Sequence, residues 1–314
     1  MGVILGIEST AHTFSFGAVS SDGKDVLASH SSLYRPEEGG IHPREAADHH
    51  VESSRSLLER AILDWSVAKS DIDAVAFSQG PGLGPCLRVG GSVARSISMA
   101  LGIPLIGVNH CVAHIEIGRR MTGCIDPVLL YVSGGNTQVI ARASGRYRVL
   151  GETLDIGIGN MLDKFGRAIG IPFPGGPEIE RRAQSYIQEN GSDHILDLPY
   201  AVHGTDMAFS GILGAAIAHA KKGENHGLVC HSLQEISFAS CVEVGERAMA
   251  LTGKSEILLG GGVACNKRIR EMTQTMASER GGSAYWPDWR LCIDNGTMIA
   301  ELGRRMLDAG IYTK

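Results

Sequence analysis

Apolar and polar positions along this chain fall into blocks whose period changes. Val3 to Ile7 is an unbroken apolar run that reads as a buried strand, Glu8 to Thr13 as a polar turn, and Phe14 to Val19 as a returning strand. Gly40 and Pro43 lead into a helix whose apolar positions Val51, Leu58, Ala61, Ile62 and Trp65 follow helical spacing. A strand from Asp73 to Phe77, a Gly/Pro-rich turn from Gly80 to Pro85 and a helix to about Ala100 come next. The strand Ile103 to Val108 and a helix opening at Asn109 close this half. After Asp126-Pro127 the pattern starts again, with a strand from Val128 to Val132, a tip of Ser133-Gly134-Gly135-Asn136-Thr137 and a returning strand from Gln138 to Ala141. The second hairpin has the form of the first. Buried strands folded over small hydroxyl and amide residues suit a backbone-lined phosphate site, and two unrelated hairpins give the same pattern.

Beyond it the chain reads as a helix from Ile158 to Ile169 that carries Asp163, a breaker-rich loop from Ile171 to Pro177, and a helix from Glu178. A long helix from Val229 to Leu251 leads to a strand (Glu256 to Leu259), the run Gly260-Gly261-Gly262-Val263-Ala264-Cys265-Asn266 and a new helix. Strand, glycines and helix in that order seat a nucleotide against a helix N-terminus, although the GxGxxG spacing and the Walker lysine are both missing. Leu291 to Gly296 introduces a last helix, Thr297 to Leu307.

Composition narrows the class. The 314 residues with 43% hydrophobic content suffice for two domains with their own cores. No apolar run reaches the roughly 18 to 20 residues of a membrane span, and MGVILGIEST lacks the features of a signal peptide, so the expected location is cytoplasmic. Seven cysteines without a CxxC pair indicate reduced, mostly buried thiols rather than a disulfide framework or zinc knuckle. A net charge of −5 gives no overall signature of nucleic-acid binding. The local basic groups, Arg146 with Arg148, Arg181 with Arg182, and Lys267, Arg268 and Arg270, read as solvated helix faces.

Candidate chemistry centres on Asn109-His110-Cys111-Val112-Ala113-His114. On a helix, His110 and His114 project from one face and can share a metal ion, or they can be hydrogen-bonded residues of a buried face. Metal binding needs a third ligand. A zincin would place Glu directly after the first His, where this chain has Cys111, and Glu116 comes too late to replace it. Asp294 offers a carboxylate, but it also sits where a helix N-cap belongs. Tyr131 ends a strand against the second tip, where a tyrosine is ordinarily packing. His49 and His50, in the cluster that runs from Ile41-His42-Pro43, are adjacent, so on a helix they diverge by about 100° and are not expected to share an ion.

Taken together these stretches resemble a known family. GIESTAHTFSFG (Gly6 to Gly17), GGIHPREAADHH (Gly39 to His50), QGPGLGPCLRVG (Gln79 to Gly90), NHCVAHIEIGR (Asn109 to Arg119), YVSGGNTQ (Tyr131 to Gln138), LDKFGR (Leu162 to Arg167), FSGI (Phe209 to Ile212), GGGVACN (Gly260 to Asn266) and CIDNG (Cys292 to Gly296) are similar to the TsaD/Kae proteins, the universal tRNA threonylcarbamoyladenosine synthases. The resemblance runs from Leu5 to about Arg305, and the AHT tip, with His12 where bacterial members usually carry an acid, resembles the archaeal and eukaryotic branch. It implies an α/β chain of the actin-like, sugar-kinase-like ATPase fold, with two similar α/β lobes around a nucleotide cleft, here expected at 1–124 and 125–314.

The resemblance further implies transfer of a threonylcarbamoyl group from threonylcarbamoyl-AMP to the exocyclic amine of the adenosine beside the anticodon of tRNA. It implies one transition metal, iron or zinc, held by His110, His114, Tyr131 and Asp294, and ATP with magnesium as a further occupant of the cleft. Substrate contacts carried over in the same way are Tyr131, Val132, Ser133, Gly134 and Gly135, with Asp163, Gly176, Glu180 and Asn266. Implied partners are tRNA, a small atypical kinase and other KEOPS-type subunits, and no membrane. In some archaeal relatives that kinase is fused C-terminally, and this chain stops at Lys314, about where such a fusion begins. The rival readings are a metalloprotease, a phosphotransferase of the sugar-kinase fold, and a non-catalytic nucleotide-binding scaffold.

Overall fold

The computed structural model describes residues 2–36 and 40–313, so Gly39, which opens the GGIHPREAADHH motif, and the terminal Met1 and Lys314 lie outside the described residues. The chain divides into two compact units, Met1–Met121 with Ile293–Lys314, and Thr122–Cys292. A simple division at 124 is therefore corrected at the far end, because the last segment packs on the sheet of the first unit.

In the first unit, β1 (Val3–Glu8), β2 (Thr13–Ser20) and β3 (Val26–Leu33) form an antiparallel meander. β4 (Ile72–Gly80) and β5 (Leu105–Asn109) extend it in parallel, giving the order β3-β2-β1-β4-β5. The helices are α1 (Pro43–Trp65), α2 (Gly84–Leu101) and α3 (His110–Thr122). Every residue of β1 and β2 is buried, as befits strands covered on both faces. Leu5, Ile7, Phe14 and Phe16 pack with Leu57 and Ala61 of α1 and Ala94 of α2. The intervening positions include Gly6 and Gly17, which pair with each other and receive the C-terminal helix.

The second unit repeats this plan. The meander β6 (Val128–Val132), β7 (Thr137–Ala143) and β8 (Arg146–Glu152) is extended in parallel by β11 (Glu256–Gly260) and β12 (Ser283–Tyr285), in the order β12-β11-β6-β7-β8. Its helices are α4 (Ile158–Ala168), α5 (Gly176–Asn190), α6 (Ser210–Lys221), α7 (His226–Thr252), α8 (Lys267–Glu279) and the single turn α9 (Trp289–Cys292), and a short hairpin pairs β9 (Val202–His203) with β10 (Asp206–Met207). The final helix, α10 (Gly296–Asp308), belongs to the first unit. Two sheets with one strand order make the hairpin repeat a repeat of the whole sheet.

Several expectations change. On α1 the buried residues are Ala46, Ala47, His50, Leu57 and Ala61, whereas Val51 is 60% exposed, so a histidine takes a place on the core stripe. Arg146 and Arg148 lie on strand β8, not on a helix. Arg181 and Arg182 are paired with Glu178, Arg268 with Glu235 and Glu271, and Arg270 lies over the Trp286 ring. The cysteines are free and all but Cys265 are buried. Among the described residues no helix is long and apolar enough to cross a membrane.

His49 and His50 do not diverge as expected. Their Nδ1 atoms lie 3.3 Å apart, because side-chain rotation brings the ring edges together although the Cα–Cβ bonds point apart. His50 Nε2 donates to the Ala11 carbonyl at 3.0 Å, so its Nδ1 accepts a proton from His49 Nδ1, and His49 Nε2 accepts from Ser32 at 2.9 Å. Burial, and then the neighbouring His49, pushes His50 down to about 4.

A Cβ on Gly17 would stand 2.0 Å from the Thr297 amide nitrogen, so Gly17→Ala is expected to lose about 3 kcal/mol in denaturant unfolding. Gly214, inside α6 with nothing within 4 Å of a Cβ, should instead gain about 0.5–1 kcal/mol when changed to Ala. For His50, the unfolded ring takes up a proton near 6.5 that the folded ring refuses until about 4. Its contribution is therefore complete above 6.5 and is lost as pH falls toward 4. Unfolding free energies of wild type and His50→Gln, which keeps a donor for Ala11, should draw together over that interval.

Candidate functional site

α3 begins directly at the end of β5, where Asn109 Oδ1 accepts from the Val112 amide at 3.1 Å. That start sets His110 and His114 one turn apart with ring centroids 4.9 Å from each other, 3% and 2% exposed. Asp294 Oδ1 lies 3.4 Å from His110 Nε2 and 3.3 Å from His114 Nε2. The ligand atoms of these three residues all fall within 4.8 Å of one another, a group that could hold a metal ion.

Whether Asp294 merely caps α10 is answered by its neighbour. Asn295 is the N-cap, its side chain accepting from the Met298 amide at 2.9 Å, so the Asp294 carboxylate is not needed there. Behind His110, the fully buried Glu8 receives Nδ1 at 2.9 Å through Oε2, while its Oε1 accepts from the Thr10 amide and hydroxyl. A carboxylate on Nδ1 fixes the tautomer and turns Nε2, as an electron-pair donor, toward Asp294. Sequence reading missed Glu8, although a lone acid ending an otherwise apolar strand was the signal.

The electrostatics agree. Burial lowers His114 below the ordinary histidine range and so favours the neutral, ligating ring. Burial would raise Asp294, but the adjoining imidazoles, His110 first and then His114, outweigh it and hold the carboxyl well below the usual range. Two imidazole nitrogens and an ionised carboxylate, backed by Glu8, fit a divalent transition ion better than magnesium.

The remaining candidates lie in the second unit. Tyr131 occupies the end of β6, 3% exposed, opposite Gly260 of β11 and Gln138 of β7. The tip after it is packed from below by α4, with Gly159 and Asn160 amides donating to the Ser133 and Gly134 carbonyls at 3.0 and 2.9 Å. Beside Gly135 the space is open, since a Cβ there would meet nothing within 4 Å. One turn along α4, Asp163 Oδ1 accepts from the Gly175 amide at 2.7 Å, immediately before Gly176 starts α5. Glu180, on the next turn of α5, accepts from the Lys267 amide at 2.9 Å, and Asn266 caps α8 and donates to Gln234 at 2.6 Å. Asp163, Gly176, Glu180 and Asn266 thus form one contiguous series.

Comparison with known proteins adds a family. The model described as "TsaD: tRNA N6-adenosine threonylcarbamoyltransferase" matches residues 25–301. A Thermoplasma acidophilum protein named "Probable bifunctional tRNA threonylcarbamoyladenosine biosynthesis protein" is 54% identical over 98% of this chain, which spans only 57% of that relative's length. A Thermococcus sibiricus tRNA N6-adenosine threonylcarbamoyltransferase is 51% identical over 98% of this chain and 93% of its own. Among solved structures, full-length HypF in a phosphate- and nucleotide-bound form superposes with a TM-score of 0.66 at 13% identity, over 99% of this chain and 47% of that one. That likeness, with the repeated sheet order, makes the fold the actin-like ATPase fold.

For Glu8→Gln, zinc affinity measured by chelator competition is expected to fall about 10- to 100-fold. An unchanged affinity would remove Glu8 from the site.

Proposed function

The chain belongs to the TsaD family of tRNA N6-adenosine threonylcarbamoyltransferases, and from that premise we propose that it transfers the threonylcarbamoyl group of threonylcarbamoyl-AMP to the exocyclic amine of the tRNA adenosine next to the anticodon. The observation that carries this reading is the convergence of His110, His114 and Asp294, with Glu8 behind His110, in a chain of that family. In the reaction the adenosine N6 forms a bond to the carbamoyl carbon, the bond from that carbon to the AMP phosphate oxygen breaks, N6 loses a proton and AMP leaves.

An amine conjugated with a purine is a weak nucleophile, so the acyl donor must be held and its leaving group stabilised. We assign the backbone from Tyr131 through Val132, Ser133, Gly134 and Gly135 to the AMP phosphate, where glycine lets amide groups approach an oxyanion. Asp163 and Glu180 hold the ribose, Gly176 opens the helix beside it, and Asn266 takes the adenine side. A divalent transition ion, iron or zinc, held by His110, His114, Asp294 and Tyr131, would supply Lewis-acid polarisation of the acyl donor. We assign ATP with magnesium to the same phosphate loop as a further occupant. No side chain is required as a covalent carrier, and trapping a threonylcarbamoylated residue would overturn that point.

A chain of net charge −5 recruits tRNA either through a local basic rim formed on folding or through positive surface that partners supply. We assign that role to partner subunits of KEOPS type, including a small atypical kinase, in the cytoplasm; the bifunctional name of the Thermoplasma relative, nearly twice as long, supports a fused partner. The test is a single-turnover assay with threonylcarbamoyl-AMP, unmodified tRNA and the partner subunits. Wild type is expected to transfer the group and His110→Ala to be slower on the order of 100-fold or more. Full activity in the variant rejects the metal's role, and no transfer by wild type rejects the reading.

A further inference from the structure

The helices that bring the three candidate ligands together meet a second time, away from the ligands. α3 presents His110 and His114 in its first turns, then Glu116 and Arg120; α10 starts two residues after Asp294 and carries Glu301, Arg304 and Arg305. Glu301 is fully buried and Glu116 is 5% exposed. Arg305 spans the helices, with one guanidinium nitrogen 2.7 Å from Glu116 Oε2 and Nε 2.8 Å from Glu301 Oε1. Arg120 crosses the other way, reaching Glu301 Oε2 at 2.5 Å and the Gly23 carbonyl, in the turn between β2 and β3, at 2.8 Å. Each helix therefore sends an arginine to a carboxylate of the other.

The carboxylates are buried while the Arg305 side chain is 36% exposed, and such partly buried pairs add little net stability because desolvation and solvent screening offset the attraction. What they do fix is geometry. A guanidinium is a planar fork with donors in set directions, and Arg305 must satisfy two carboxylates on different helices at once. Sliding α3 by one residue along its axis would move Glu116 by about 1.5 Å and break that bridge. A metal site tolerates misplacement of only about 0.5 Å.

We infer that Arg305 and Arg120, acting through Glu116 and Glu301, are positioning residues that set the register of α3 against α10 so that His110, His114 and Asp294 converge on one ion. The inference rests on the metal reading proposed above, and its test keeps the two apart. Arg304 supplies the control, since it pairs with Glu301 and Asp308 on its own helix and ties nothing to α3.

Wild type, His110→Ala, Arg305→Met, Arg305→Lys, Arg120→Met and Arg304→Met would be loaded with cobalt(II), affinity measured by chelator competition, and the visible absorption recorded as a signature of ligand geometry. Arg305→Met and Arg120→Met should each bind about tenfold more weakly with an altered spectrum, Arg305→Lys should lie between Arg305→Met and wild type, and Arg304→Met should match wild type. Arg120→Met and Arg305→Lys keep the test decisive if Arg305→Met does not fold. Wild-type affinity and spectrum in the cross-helix variants would overturn the positioning role while leaving the metal site standing. Losses in Arg304→Met equal to theirs would overturn it too, as general destabilisation. Should wild type take up no cobalt, or His110→Ala take up as much, the metal reading falls and this inference with it.

Discussion

A backbone-to-backbone approach determines the first unit. Gly6 and Gly17 pair across β1 and β2, and α10 begins against them so closely that a Cβ on Gly6 would stand 2.1 Å from the Gly296 carbonyl and one on Gly296 2.2 Å from the Gly17 amide. Three positions without side chains let a helix start almost on the sheet itself. The polar groups of its first turn are then met by the strands: the Gly296 amide donates to Ser15 Oγ and the Thr297 amide to Ser29 Oγ, each at 3.0 Å. Asp294 precedes this anchored turn, and Asn295 caps it. β1, which receives the helix, ends in Glu8 behind His110. The same hairpin thus orders one candidate ligand, Asp294, and the carboxylate behind another, His110.

Ionisable groups in this unit sit deeper than stability alone would favour. Glu8 and Glu301 are fully buried, and each carboxylate is met by an imidazole or guanidinium partner. Removing one member of a buried pair costs about 3–5 kcal/mol by leaving the other charge uncompensated. Substitutions at Glu8 or Glu301 therefore act on folding and on the site together, and a metal-affinity readout separates the two where a melting temperature does not. In the second unit the candidate residues are met by amides instead: the tip carbonyls accept from α4 amides, Asp163 accepts from the Gly175 amide, and Asn266 caps its own helix.

What was legible in the chain follows from how completely each element is buried. β1, β2, β6 and β7 are largely buried and read as apolar runs, and α7 is long enough to read from its apolar content. β3 and β8 mix half-buried and exposed residues, since each packs at the sheet's outer edge, and neither shows a clean alternation. α6 went unread behind the FSGI motif that starts it. At the site, spacing alone left His110 and His114 undecided and Asp294 as a cap. Only three-dimensional facts separate those readings: the cap belongs to Asn295, and the carboxylate behind His110 comes from a residue far away in the sequence. The partnership of Glu116 with Arg305 could not be read from the sequence for the same reason.

The repeated sheet carries two tips that are built differently. In the first unit the tip after β1 is closed by side chains: the Ser9 amide donates to Ser78 Oγ at 3.0 Å, the Thr10 amide and hydroxyl go to Glu8, and the Leu83 amide donates to the Thr10 carbonyl at 2.7 Å. That tip is spent on holding a carboxylate. In the second unit the equivalent tip has Gly134 and Gly135, both exposed, and Gly157 and Gly159 beneath it approach so closely that a Cβ on either would come within 3 Å of tip backbone. Here glycine below lets the tip sit down on the helix, and glycine above leaves it open. A duplicated hairpin therefore needs only a change of tip residues to turn from a buried support for an imidazole into an exposed backbone surface. On the phosphate role proposed for this tip, bulk at Gly135 should weaken AMP binding measured by calorimetry while sparing the fold, whereas bulk at Gly159 should impair both.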